Sequence, residues 1–211
     1  MSAVTTSTDS RFLLRGIRWD TYERMLADVG DGPVRMTYDR GDLEVMTPSH
    51  RHEAWKTLAA RLIEAMTEEL SVPIKSGGST TFRRRDLQRG LEPDECYWVQ
   101  SEPRVRGRYD LDLRHDPAPD LVFESEASRS VLDRLAILAA LGVGEVWRFD
   151  GERLIVLVRS ADGVYVESTT SQCFPWLAIA ELSGWLLRAG DTDETTWIRA
   201  FRVWVRETLA T

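Results

Sequence analysis

The sequence predicts a mixed α/β protein, and three stretches carry that expectation. "SHRHEAWKTLAARLIEAMTEEL" sets Trp55, Leu58, Leu62 and Met66, with Ala59, Ile63 and Leu70, at helical spacing. "PDLVFESE", "SRSVLDRLAILAALGVG" and "EVWRFD" run strand, helix, strand, an order that implies a crossover and a parallel pair. "RLIVLVRSADGVYVES" then extends the last strand into an antiparallel meander, with turns at "DG" and "ADG".

The other elements follow in chain order. "MSAVTTSTDS" has neither a charged n-region nor an apolar h-region, so residues 1–10 read as a disordered tail rather than a signal peptide. "GIRWDTYERMLADVG" reads as a short helix with Asp20 as N-cap and Gly30 closing it. "VRMTYDRGDLEVMTP" is a hairpin with Gly41 in the tight turn. Ser49 caps the long helix, and Pro73 lies beyond its end. "TTFRRRDLQRGLEPDECYWVQ" reads as a strand, a basic turn and a second strand starting near Pro93. The helix after the acidic strand takes Ser128 or Ser130 as its cap and ends at Gly142. Two C-terminal helices carry Trp185, Trp197 and Trp204. With no repeat, low-complexity block or linker in view, residues 11–211 read as one domain.

Composition narrows the function classes. The 211 residues are 43% hydrophobic and 29% charged, enough for a substantial core, and the net charge is -7. A protein that grips nucleic acid along its length has a basic balance, so any such contact here must be local or metal-mediated. Cys96 and Cys173 have no CxxC partner and read as buried thiols. No apolar run reaches the ~20 residues of a membrane span, so a cytoplasmic protein without a membrane partner is expected. Arg83, Arg84, Arg85 and Arg89 form a basic turn that reads either as a phosphate grip or as a solvated turn, extended by Arg104, Arg106 and Arg108. His50 and His115 read as surface residues, and the tryptophans as core.

The chemistry concentrates in "PAPDLVFESEASRS". Asp120, Glu124 and Glu126 share one parity with Val122, so an extended chain points all four the same way. Unpaired buried carboxylates are costly. Asp94, behind a proline in "LEPDECYW", repeats the pattern at the mouth of another apolar strand, and Arg134 sits on the helix that follows. Carboxylates converging from neighbouring strands suit a hard divalent cation such as Mg²⁺, which takes one or two protein carboxylates and fills its octahedron with water and phosphate. The same acids also read as capped and salt-bridged structural residues, and spacing leaves both readings open.

"GDLEVMTPSHRHEAWKTLAARL", "GLEPDECYWV" and "PAPDLVFESEASRSVLDRLAILAALGVGEVWRFDG" resemble the Uma-two type of restriction endonucleases, within the PD-(D/E)XK nuclease superfamily, from about Trp19 to Val158. The resemblance implies a restriction-endonuclease-like fold, a mixed central sheet flanked by helices, and Mg²⁺-dependent hydrolysis of DNA, with Mn²⁺ as a substitute. Asp94 matches the acid of the Pro-Asp motif, Glu124 the acid of the (D/E)XK motif, and Asp120 a second Pro-Asp, giving the ligand set Asp94, Asp120 and Glu124. His52 matches a histidine near the start of the long helix. Glu126 stands where the motif lysine belongs, and the positive charge moves to Arg134, which stabilises charge but does not act as a base. Glu126 and His52 are expected to tune the site. A homodimer through the C-terminal tryptophans is a further expectation, and a catalytically inactive nuclease-fold module that binds DNA or a protein is the alternative function.

Overall fold

A computed structural model describes residues 9–30, 32–126 and 130–209. The first element among the described residues is one that the sequence pattern does not predict. Asp9 is buried and Ser10–Leu14 forms strand β1, so the expected tail ends earlier than position 10; residues 1–8 lie outside the described residues. Helix α1 spans Trp19–Val29 with Arg18, not Asp20, at the N-cap, and closes on Gly30. β2 (Arg35–Asp39) and β3 (Asp42–Thr47) pair antiparallel around Arg40 and Gly41, at φ of 50° and 102°. Two successive positive φ values give the strand twist of a tight hairpin, which is why glycine sits there.

Helix α2 runs His50–Glu69, with the Ser49 side chain accepting from the His52 N–H as expected. The segment after it holds more strands than the sequence suggested. β4 is Lys75–Ser76, β5 is Phe82–Arg84 and β6 is Arg89–Leu91; Glu92 to Asp94 then carry the chain across to β7 at Glu95–Trp98. The expected second strand, from near Pro93, is β7. Strand β6, between the basic turn and Pro93, was not expected and belongs to the other sheet, the break falling at Pro93, which cannot donate to a ladder. After a short helix α3 (Glu102–Val105), β8 is Leu121–Ser125 and α4 is Arg134–Leu141. Asp133 rather than Ser130 caps α4, accepting from the Ala136 N–H; Ser128 lies outside the described residues. Gly142 closes the helix at φ 95°, a left-handed position open to glycine. β9 (Glu145–Phe149), β10 (Leu154–Arg159) and β11 (Tyr165–Ser168) form the meander, and α5 (Ile179–Leu187) and α6 (Glu194–Thr208) end the fold.

The mixed α/β class is as expected, but the strands divide between two sheets. One is antiparallel, in the order β1-β3-β2-β6-β5, and the other is mixed, β11-β10-β9-β8-β7-β4. β8 and β9 pair in parallel across the α4 crossover. Alternation along the mixed sheet sorts its side chains between two cores. Tyr97, Leu121, Phe123 and Trp147 face α2, α5 and α6, whereas Cys96, Val122 and Val146 face α4. Phe82 and Leu91 of the antiparallel sheet join that second core, and α1 covers the antiparallel sheet through Trp19, Tyr22 and Tyr38. Each large apolar side chain so buried contributes about 1.5–3 kcal/mol. Trp197 is buried, and the half-buried Trp185 and Trp204 pack on the same core. Among the described residues, no helix is long and apolar enough to cross a membrane.

Candidate active site

Register decides which acids meet. Glu95 pairs with Phe123 across β7 and β8, so Asp94, one step earlier, stands beside Glu124. On the other side, Glu124 pairs with Arg148 of β9. Asp94, Glu124 and Arg148 thus form a row at the C-terminal ends of the parallel strands, where open α/β sheets place their ligand crevices. All three line one cavity of about 240 Å³, together with His52, Ser125, Glu126 and Arg134.

Both key carboxylates are buried and both are hydrogen-bonded within the protein. Asp94 Oδ1 lies 2.7 Å from His52 Nε2 and 3.7 Å from Arg35 Nη1. Its Oδ2 accepts from the Ser125 N–H at 2.6 Å and the Ser125 hydroxyl at 3.0 Å. Glu124 takes the Arg134 fork, Nε at 3.0 Å and Nη2 at 2.7 Å. Arg134 also donates to Thr37 Oγ1 at 2.7 Å and the Glu92 carbonyl at 2.8 Å, so one guanidinium ties α4 to β8, β2 and the chain before β7. A planar fork meets four acceptors in this way; a lysine ammonium does not. Glu126 pairs with Arg148.

Burial and pairing act on the charges in opposite senses. Burial pushes the Asp94 carboxyl up, but the hydrogen bond and charge of His52, then Arg134, outweigh it and hold it well below the usual carboxylate range. Burial opposes charge on His52, yet Asp94 and then Asp9 raise its pKa overall. Glu124 ends above the ordinary range: burial, reinforced by the Asp94 charge, outweighs Arg134.

Asp120 requires a correction. It lies at the opposite end of β8, four residues from Glu124, about 13 Å at ~3.3 Å per residue. Its Oδ2 accepts from the N–H groups of Val99 at 2.7 Å and Ser101 at 2.8 Å, and its Oδ1 from the Ser101 hydroxyl at 2.8 Å. Parity put Asp120, Glu124 and Glu126 on one face, but the length of the strand separates the first from the other two. Asp120 closes a turn and does not share an ion with Asp94 and Glu124. Among the described residues, no group of three or more His, Cys, Asp or Glu side chains is arranged to hold a metal ion.

Several contributors were not found from the sequence. Asp9 places Oδ2 3.3 Å from His52 Nδ1. Glu44 of β3, buried, accepts from Arg11 at 2.7 Å, from the Ser130 hydroxyl at 2.9 Å and from the Val131 N–H at 2.6 Å. Arg148 had a legible signal, a lone cation amid the apolar "EVWRF", and Glu44 a similar one in "DLEVM". Asp9 had none, since it sits in a polar stretch. The basic turn is largely neutralised within the fold: Arg84 pairs with Asp86, Arg85 with Asp20, and Arg89 with Asp39. Arg83, Arg104, His50 and His115 are exposed.

This architecture, a mixed sheet with buried acids at the ends of its parallel strands, is that of a nuclease fold. A solved structure described as a "putative nuclease belonging to DUF820" from Anabaena variabilis ATCC 29413 matches with a TM-score of 0.50 at 15% identity, over 72% of this chain and 91% of that one. At that identity the likeness speaks for the fold alone. The family itself is shown by sequence: residues 19–189 match the family model "Uma2: Putative restriction endonuclease", and the chain belongs to that family. No curated protein matches the chain.

Proposed function

We propose that the chain is a divalent-metal-dependent endonuclease that hydrolyses DNA phosphodiester bonds in the cavity at the C-terminal end of β8. The observation that carries this reading is the juxtaposition of Asp94 and Glu124, two buried carboxylates from adjacent strands lining one cavity with two arginines. Membership in the family supports the reaction class.

The donor set fits a hard cation. Asp94 and Glu124 offer carboxylate oxygens only, and one or two such ligands with water and phosphate meet the needs of Mg²⁺ or Mn²⁺. Burial raises the Glu124 pKa even with Arg134 on it, and a cation beside it would favour the charged carboxylate. When bound, such an ion lowers the pKa of a water and offsets charge developing on the phosphate. The chain's own residues do the rest. His52 and Ser125 fix the plane of Asp94, and Arg134 fixes that of Glu124. Arg148, steadied by Glu126, presents a guanidinium at the rim, where it meets a phosphate oxygen. The position two residues after Glu124, which the motif gives to lysine, holds Glu126, so neither proton abstraction by lysine nor by Arg134 enters the scheme.

One observation favours a second reading, an inactive nuclease-fold module. Every oxygen of Asp94 and Glu124 already has a partner within the protein. Calorimetry with Mg²⁺ and Mn²⁺, then cleavage of supercoiled DNA, on wild type and Glu124→Ala separates the two. Binding and cleavage in wild type, both lost in the variant, are expected; a wild type that neither binds metal nor cleaves leaves the inactive module.

A further inference from the structure

The cavity draws on a segment that precedes the family match. That match begins at residue 19, yet Asp9, at the foot of β1, reaches the far side of the His52 ring. The Asp9, His52 and Asp94 side chains are 0%, 2% and 2% exposed, so this acid–imidazole–acid row is buried, with His52 and Asp94 in the wall of the cavity. Asp9 Oδ1 also accepts from the N–H of Ser49, the cap of α2, at 2.8 Å, and Oδ2 lies 3.3 Å from Arg11 Nη2. One carboxylate therefore caps the start of the helix that carries His52 and lies against the ring, 3.3 Å from Nδ1.

We infer that Asp9 is a positioning residue of the cavity: through His52 it sets the orientation of the Asp94 carboxylate. A ring held through Nε2 alone swivels about its bond to Cβ, and the Asp94 oxygen it holds swivels with it. The Asp9 carboxylate, 3.3 Å from Nδ1 though outside hydrogen-bond geometry, adds a charge contact on the ring's other side that restrains its plane, as the outer partners of ligating groups do at metal sites. Asp94 is then gripped at both oxygens, by His52 at Oδ1 and by the N–H and hydroxyl of Ser125 at Oδ2, beside the cavity it lines. Strand β1 works on the other wall as well. Arg11 holds Glu44, and Glu44 holds Ser130 and Val131 of the approach to α4, the helix that bears Arg134. The N-terminal strand is thus part of the site's frame.

The consequence for metal binding rests on the proposed function, whereas the positioning of His52 does not, and the test keeps them apart. The full chain with ¹⁵N-labelled histidine is compared as wild type, Asp9→Asn and Asp9→Glu; asparagine keeps an oxygen for the Ser49 N–H but removes the charge facing the ring. A slowly exchanging Nδ1 proton on His52 is expected in wild type, exchanging about tenfold faster in Asp9→Asn and partly restored in Asp9→Glu. Mn²⁺ titrated without DNA is expected to half-saturate Asp9→Asn at about tenfold higher concentration. A His52 ring spectrum unchanged by Asp9→Asn overturns the inference. Wild type that binds no Mn²⁺ overturns the nuclease reading instead, and the ring spectrum still decides the role of Asp9. If Asp9→Asn does not fold, the wild-type ring proton decides: rapid exchange with solvent overturns the positioning role.

Discussion

The two ends of β8 carry acids of the same chemistry in opposite situations. At the N-terminal end, Asp120 and Glu145 of β9 face loops and are held chiefly by neutral donors. Asp120 takes two main-chain N–H groups and a hydroxyl; Glu145 takes those of Gln172 and Cys173, the Ser171 hydroxyl and the Trp147 indole. At the C-terminal end, Glu124 is held by the Arg134 fork, Asp94 by the His52 imidazole and by the N–H and hydroxyl of Ser125, and both line a cavity. Among the described residues, Asp120 and Glu145 are enclosed by neutral donors alone. Side-chain cations offset an acid's charge while leaving it beside space that a ligand can enter. Burial of an acid therefore does not mark a site; the nature of its partners and the presence of a cavity do.

The largest expected effect is on activity. Asp94→Asn or Glu124→Gln should lower DNA cleavage by about 10³-fold, the rate equivalent of several kcal/mol of lost charge stabilisation. Asp120→Asn should leave the rate per folded molecule within about twofold. Equal losses at both ends in a single-turnover assay would break the contrast. Stability should rank the other way for truncation: Asp120→Ala, which orphans donors of Val99 and Ser101, should cost about 2–3 kcal/mol in urea unfolding. Arg134→Lys keeps the charge but loses the fork, and about 1–3 kcal/mol with it, together with a larger drop in cleavage than any Asp120 variant.

A subtler expectation concerns pH. His52 has its folded pKa raised above the ordinary 6.5, so its stabilising contribution is complete below that value and is lost as pH climbs through the folded value. Glu124, also raised, acts in the same direction from its ordinary 4.5 upward. Metal-free wild type should therefore lose thermal stability as pH rises above 6.5, and His52→Gln should show a shallower slope there; a Tm that is flat in wild type would remove the charged His52–Asp94 pair from the account. The smallest effect belongs to Arg83, exposed on the basic turn. Arg83→Ala should leave stability unchanged and, if the turn touches DNA, reduce the salt slope of binding by about one unit.

Much of this was legible in the chain. Helical spacing located α2, the strand–helix–strand order gave the parallel pair β8 and β9, and the Pro-Asp and "FES" contexts singled out Asp94 and Glu124. Asp120 was misjudged because period-two parity reports which face a residue takes and is silent on how far along the strand it lies. β1 went unseen because "SRFLL" is short and follows a polar stretch, so only its pairing with β3 defines it.

By itself the sequence determined the classes of element and the residue types available for chemistry, because periodicity, turn residues and motif spacing are local properties of a chain. Tertiary structure alone decided which acids became neighbours. The register of β7 against β8 put Asp94 beside Glu124, and the return of β1 to the sheet edge put Asp9 behind His52. Those contacts join residues 30 or more positions apart, and no local pattern encodes the pairing that brings them together.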